Sequence, residues 1–157
     1  MTMPAQKPGK SKQDYSTPQE LIDAIERRLG PFQFDLAASY LNTKAPRFIS
    51  LDKEEDSLKV DWPIGELCWL NPPFADIEPW VKKCRITSEL GSKIVMLAPA
   101  SVGSNWFAEE VWGHAGVVAL RPRITFEGCK DPYPKDCMLL LWGIGWPSFG
   151  FGLWKWR

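Results

Sequence analysis

Apolar residues recur along the chain in two rhythms, one helical and one of short buried runs. Leu21, Ile22, Ile25 and Leu29 fall at helical spacing. Ahead of them Thr17 is a natural N-cap, Pro18 suits a first turn, and Glu20 stands where a capping box needs its acid. Gly30-Pro31 ends that helix. Residues 32–37 read as a strand, and 47–50 as a second, short one. The stretch 52–61 is highly charged and expected to be exposed. Residues 67–70, Leu-Cys-Trp-Leu, form a fully apolar run, the pattern of a central strand buried on both faces. A helix is expected over 78–90, with Trp80, Val81, Cys84 and Leu90 inward and Gly91 closing it. Residues 93–98 form another buried strand, and 104–112 a helix capped by Ser104. Residues 116–120, 124–126 and 137–142 are strand-like, and 149–156 form an edge strand or a packed tail.

Strands alternating with helices predict an α/β fold with a mostly parallel sheet. The last strand-like runs have no helix between them, which predicts an antiparallel C-terminal strand pair. At 157 residues the chain suits one domain, taken as 14–157, behind a flexible basic tail 1–13 that carries Lys7, Lys10 and Lys12. The balance of 45% hydrophobic and 24% charged residues is that of a globular protein. Apolar runs such as 94–98 and 138–142 are far too short to cross a bilayer. Residues 1–14 contain no apolar h-region, so no signal peptide is expected, and the expected location is cytoplasmic, in a bacterial or phage-infected cell. The spacing of Cys68, Cys84, Cys129 and Cys137 matches no zinc signature and reads as free thiols, with no metal expected. The net charge of zero is unusual for a dedicated nucleic-acid binder. The bases nevertheless cluster locally, at Arg27-Arg28, Lys82-Lys83-x-Arg85, Arg121-x-Arg123, Lys130 and Lys135, and a local patch suffices for backbone contact. Nine tryptophans are enough to furnish both core and base-stacking surface.

The chemistry concentrates at Asn71-Pro72-Pro73-Phe74, directly after the apolar run 67–70. Ligands of open α/β sheets bind beyond the carboxyl ends of strands. An exocyclic amine on a base is a poor nucleophile because its lone pair is delocalised into the ring. Two acceptors on its N–H groups localise that pair. The Asn71 side-chain oxygen is one acceptor, and the Pro72 carbonyl, stiffened by tandem prolines, is a second. Phe74 offers a flat face for an extruded base. The alternative is a plain Asn-Pro-Pro turn.

Around this motif an ordered series resembles the phage-type DNA N-6-adenine methyltransferase (Dam-like) family. It runs through Tyr15-Ser16-Thr17-Pro18, Phe34-Asp35-Leu36-Ala37-Ala38, Asn42, Lys44, Phe48 and Asp56-Ser57-Leu58 with Trp62. It continues through Trp69 to Phe74, Trp80-Val81-x-Lys83, Val95-Met96-Leu97-x-Pro99-Ala100, Trp106-Phe107 and Arg123-Ile124-x-Phe126. The resemblance implies a Rossmann-like methyltransferase fold, S-adenosylmethionine as cofactor, and methylation of adenine N6 in double-stranded DNA. Restriction protection of phage DNA is one role that fits. Carried over by residue, Tyr15, Thr17 and Pro18 line the cofactor pocket, and Asp35 at the end of the first strand faces the cationic cofactor. Asp56 either contacts its adenosine part or is a solvated charge beside Lys53, Glu54 and Glu55.

The chain departs from related patterns in three ways. No Gly-x-Gly loop follows the first strand, which argues against a nicotinamide or flavin enzyme. Asn and Phe stand in the tetrapeptide where many DNA adenine enzymes have Asp and Tyr. The stretch from Asp35 to Asn71 is too short for a separate target-recognition domain. Sequence reading is therefore assigned to short loops, 100–104 and 121–136. In the second, Arg121, Arg123, Lys130 and Lys135 suit phosphates or guanines. The same tetrapeptide also fits N4-cytosine or other amine and amide methylation, on RNA or protein as well as DNA. A catalytically degenerate nucleic-acid-binding module is the non-enzymatic alternative. His114 reads as a loop residue, one of Trp106 and Trp112 as core, and Trp154 and Trp156 as packing.

Overall fold

Every strand but one of the central sheet points its carboxyl end to the same edge, and that edge carries the tetrapeptide. The computed structural model describes residues 15–148 and 150–157. The expected basic tail, with Lys7, Lys10 and Lys12, lies outside the described residues, as does Phe149. The described elements are α1 (Gln19–Leu29), β1 (Phe34–Asp35), β2 (Arg47–Phe48), β3 (Leu67–Leu70), α2 (Glu78–Glu89), β4 (Lys93–Pro99), β5 (Gly116–Arg121), β6 (Cys137–Trp142) and β7 (Phe151–Lys155). Short 3-10 turns at Leu51–Lys53 and Phe74–Asp76 and a π turn at Phe107–Val111 complete them.

The strand order is β2-β1-β3-β4-β6-β5-β7. β2, β1, β3 and β4 pair in parallel, β6 runs antiparallel to both β4 and β5, and β7 is parallel to β5. The fold is thus α/β with a mostly parallel sheet and an antiparallel C-terminal pairing, as the alternation of periods predicts.

Both faces of the sheet are covered, which is why its central strands read as unbroken apolar runs. Trp69, Val95, Leu97, Leu139 and Leu141 point to one face, where they meet Leu21, Ile22 and Ile25 of α1. Cys68, Leu70, Ile94, Met96, Met138 and Leu140 point to the other, where they meet Val81 and Cys84 of α2. Cys68, Cys84 and Cys137 are buried free thiols, and burial pushes Cys68 and Cys137 up to about 12, which leaves them inert at neutral pH.

Several expected elements take a different form. The capping box on α1 is not made: Pro18 is the N-cap and no side chain caps the helix, because the Thr17 hydroxyl is engaged elsewhere. The first strand is cut to Phe34–Asp35, although single ladder bonds from Gln33 N to Leu67 O and Leu36 N to Trp69 O extend it. Its end coincides with the Asp35 carboxylate accepting from Ala37 N, which turns the chain. Residues 124–126 form no strand, since both edges of β5 are already taken by β6 and β7. Ile124 and Phe126 are buried in a loop instead. Ser104 Oγ accepts from Phe107 N as a cap would, but the turn that follows is π rather than α. Trp106 packs on the core and Trp112 is exposed. Leu90, expected inward, is 65% exposed at the C-cap of α2. The stretch 52–61 is exposed at residues 52–54 but buries Ser57.

Gly143 leaves β6 with φ +71°, and a Cβ there would lie 2.5 Å from the carbonyl oxygen of Ser92, just before β4. Both the dihedral and the contact oppose any side chain. Gly143→Ala is expected to lower stability by about 1–3 kcal/mol in urea unfolding. An unchanged midpoint would mean that this close approach relaxes freely.

Candidate active site

Asn71 is the first residue beyond β3, at the carboxyl edge of the sheet. Its Nδ2 donates to the carbonyl of Tyr15 (3.0 Å) and to Oγ1 of Thr17 (3.1 Å). Pro72 is buried, while Asn71, Pro73 and Phe74 are half-buried. Pro73 adopts φ −58° and ψ 123° and leads into the 3-10 turn Phe74–Asp76. The Phe74 ring meets Tyr133 edge-on at 6.0 Å, Tyr133 meets Phe126 at 5.6 Å, and Phe126 meets Tyr15 at 5.5 Å. A file of four aromatic rings therefore runs from the tetrapeptide, through the loop 122–136, to the segment before α1.

A cavity of about 290 Å³ opens beside Asn71 and Pro73. It lies past the carboxyl ends of β1 and β2, and its wall includes Ala37 to Ser39, Asn42, Ser50, Asp52, Glu55, Asp56, Ser57 and Trp80. Larger hollows of about 590 and 530 Å³ lie elsewhere, one at the start of β5 and one between α1 and residues 43–47. Neither touches the tetrapeptide. Asp56 accepts from Leu58 N (3.0 Å) and pairs with Lys59 (3.4 Å), so its carboxylate shapes a turn as well as the cavity wall. Lys83 Nζ reaches back from α2, donates to the carbonyls of Ser57 (3.0 Å) and Val60, and stands 4.9 Å over the Trp62 ring. Burial lowers its pKa below the usual lysine value. Lys83 thereby pins the segment that carries Asp56 and Ser57.

Asp35 stands at the end of the first strand, but it is 2% exposed and outside the cavity wall. Its two oxygens accept from Ala37 N (3.3 Å) and Lys44 N (2.9 Å), which fixes the loop that forms the wall. Tyr15, Thr17 and Pro18 are also outside the wall, and Tyr15 and Thr17 hold Asn71 instead. Of the basic residues, Arg121 ends β5, and Arg123, Lys130 and Lys135 lie exposed in the loop that follows, on the same edge as Asn71. Arg123 Nε is paired with Asp136 (2.8 Å).

A profile of the family described as DNA N-6-adenine-methyltransferase (Dam) matches residues 5–137. The chain belongs to this family. A protein named DNA N-6-adenine-methyltransferase from Escherichia phage T1 is 33% identical over 122 residues, covering 78% of this chain and 50% of the relative. Another of the same name, from Haemophilus phage HP1 (strain HP1c1), is 36% identical over 77 residues, covering 48% of this chain and 43% of the relative. The chain spans about half the length of the curated relatives it matches. Among solved structures, a crystal structure of a dimethyladenosine transferase from Plasmodium falciparum aligns with a TM-score of 0.47 at 15% identity, over 82% of this chain and 61% of that one.

Within this Dam-family chain, sequence reasoning missed three kinds of candidate site residue. Tyr133 is the first: an aromatic between Pro132 and Pro134 in a charged loop is a signal that was there to read. The cavity residues Ser50, Asp52 and Trp80 are the second, because β2 and α2 bring them together only in space. Lys155 is the third. It pairs in register with Arg121 across β7 and β5, and both side chains are exposed.

Burial pushes the Asp35 carboxyl up from 3.8 to about 6, against the pull of the Lys44 and Ala37 N–H groups and the Lys44 charge. The folded value lies above the unfolded one. The stability it contributes is therefore fully present below about pH 4 and is lost as pH rises through about 6. Asp35→Asn cannot titrate. The stability advantage of wild type over this variant, followed by urea unfolding, is expected to shrink by on the order of 3 kcal/mol between about pH 4 and pH 7. A difference that stays flat with pH would mean that Asp35 ionises as easily in the folded chain as in the unfolded one.

Proposed function

We propose that this chain methylates the exocyclic N6 of adenine in double-stranded DNA, using S-adenosylmethionine. The observation that carries the reading is the placement of Asn71-Pro72-Pro73-Phe74 at the carboxyl end of a central strand, beside a cavity of about 290 Å³, in a chain of the Dam family. The names of the two phage relatives support the same substrate.

The cavity suits the cofactor by its donor set. Asn42, Ser50 and Ser57 offer hydrogen-bonding groups to hydroxyls, Asp52, Glu55 and Asp56 offer negative charge to a cationic ligand, and Trp80 offers a flat wall. When bound there, S-adenosylmethionine supplies an electrophilic methyl group on a sulfonium centre. The remaining work falls to the chain's own residues. Asn71 Oδ1 and the Pro72 carbonyl accept from the two N–H groups of the amine and localise its lone pair on nitrogen. Phe74, braced edge-on by Tyr133, receives one face of the flipped base. Transfer would form an N–CH3 bond as the S–CH3 bond breaks, leaving S-adenosylhomocysteine, and the surplus proton of the amine would pass to solvent. Positioning and electrostatics are therefore the protein's main contribution. Asp35 sets the loop 36–46 that walls the cavity, in place of direct contact with the cofactor. Arg121, Lys130, Lys135 and Lys155 are proposed to hold the DNA backbone, with Arg123 oriented by Asp136.

Incubation of the chain with unmethylated DNA and S-adenosylmethionine, followed by nucleoside mass spectrometry, is expected to yield N6-methyladenine. Asn71→Ala is expected to lower turnover at least 100-fold while keeping cofactor affinity. N4-methylcytosine as the product would change the base, and near-normal turnover of the variant would remove Asn71 from the reaction. Asp56→Asn keeps the turn-forming oxygen but removes the charge. Calorimetry is expected to show cofactor binding weakened by about tenfold. Unchanged affinity would move the adenosine part away from Asp56.

A further inference from the structure

We infer that Thr17 is a positioning residue: with the Tyr15 carbonyl, its hydroxyl locks the Asn71 amide in the single orientation that presents an oxygen to the substrate amine. A primary amide has a donor end and an acceptor end of almost the same shape, and only the acceptor end serves an N–H substrate. In this chain the choice is forced chemically. The Tyr15 carbonyl can only accept, and it lies 3.0 Å from Asn71 Nδ2. A flipped amide would set two oxygens against each other. Thr17 Oγ1 takes the second Nδ2 hydrogen at 3.1 Å. Both hydrogens are thus engaged on one side, and Oδ1 is left at the other end of the amide plane.

Among the described residues, the side-chain partner of Thr17 is Asn71. Thr17 is 2% exposed, does not cap α1, and is outside the cavity wall. Its segment is itself fixed, because Glu127 N donates to the Ser16 carbonyl at 3.0 Å and the Tyr15 ring packs on Phe126. The arrangement also explains why position 71 is Asn in this chain. An ionised Asp would turn a carboxylate oxygen toward the Tyr15 carbonyl.

The inference rests on Asn71 serving as the acceptor for the amine, so its test needs one arm that does not depend on turnover. The Asn71 side-chain NH2 pair is identified in a nitrogen-15 spectrum by its loss in Asn71→Ala. Thr17→Val removes the acceptor with little change of shape and is expected to shift one of the two protons upfield. Thr17→Ser is expected to leave both in place. In kinetics, Thr17→Val is expected to lower kcat by about 10- to 100-fold with KM for cofactor and DNA within about twofold, and Thr17→Ser to restore it. Asn71→Asp supplies a separate check should the valine variant not fold. Its turnover is expected to be low at neutral pH and to rise as pH falls, because a protonated carboxyl donates to Tyr15 as the amide does.

Unmoved amide protons in Thr17→Val, a rise in cofactor KM at constant kcat, or an Asn71→Asp enzyme fully active at neutral pH would each overturn the lock. A wild-type chain that methylates no adenine yet shows the expected proton shift would keep the lock and sink the proposed reaction.

Discussion

The amide of Asn71 binds together two parts of the chain that are far apart in sequence, the end of β3 and the segment before α1. These parts belong to different layers: β3 is buried in the middle of the sheet, and α1 covers one of its faces. Where α1 begins is therefore tied to where the tetrapeptide sits. The helix does without the side-chain cap that its sequence offers, because Thr17 is engaged with Asn71. Loss of a cap costs about 1 kcal/mol in typical helices. Here the helix ends on Gly30, whose N–H reaches Glu26 O, and buries Leu21, Ile22 and Ile25 completely. That apolar face is large enough to hold α1 without its cap.

The direction of the strands decides which loops can meet. β3, β4 and β5 all deliver their carboxyl ends to one edge, and β6 runs back from that same edge. The loop 122–136 therefore lies on the same edge as Asn71, although some fifty residues of chain separate them, and the Tyr133 ring brings it against Phe74. Tyr133 enters the site by this route, and its backbone N–H on the Ile124 carbonyl (2.7 Å) pins the loop to itself. Had β6 run parallel to β4, the loop would have needed a crossover to the opposite edge, and Phe74 would lack its edge-on partner.

What was legible in the sequence follows a physical division. The runs 67–70, 93–98 and 137–142 are buried on both faces, so nearly every side chain records the same environment, and their strands were readable almost to the residue. The tetrapeptide was readable because a motif stiffened by two prolines carries its geometry locally. Thr17 was misread because a cap and a tertiary hydrogen bond make the same demand on a residue, a hydroxyl just before a helix. Residues 124–126 were misread because burial in a loop and burial in a strand leave the same apolar alternation. Only the occupied edges of β5 distinguish the two. Asp35 was placed correctly on its strand, but its partners, the N–H groups of Ala37 and Lys44, belong to backbone that no side-chain pattern reports.

The net charge of zero, which at first argues against a polyanionic partner, takes on a different meaning once the strand order is known. The acids Asp52, Glu55 and Asp56 gather at the β1 and β2 end of the carboxyl edge, around the cavity. Arg121, Lys130, Lys135 and Lys155 gather toward the β5 and β7 end. Three acids also occur in the loop 122–136: Glu127 is paired with Lys44 and Asp136 with Arg123, while exposed Asp131 follows Lys130 directly and offsets part of the lysine charge. The sheet thus separates along one edge two charges that cancel in composition. The proposed reaction needs opposite fields, one for a cationic ligand and one for a polyanion, within a short distance of the same amine, and surface fields fade over about 8 Å in physiological salt. Segregation by strand order supplies both fields at once, which an excess of either sign would not.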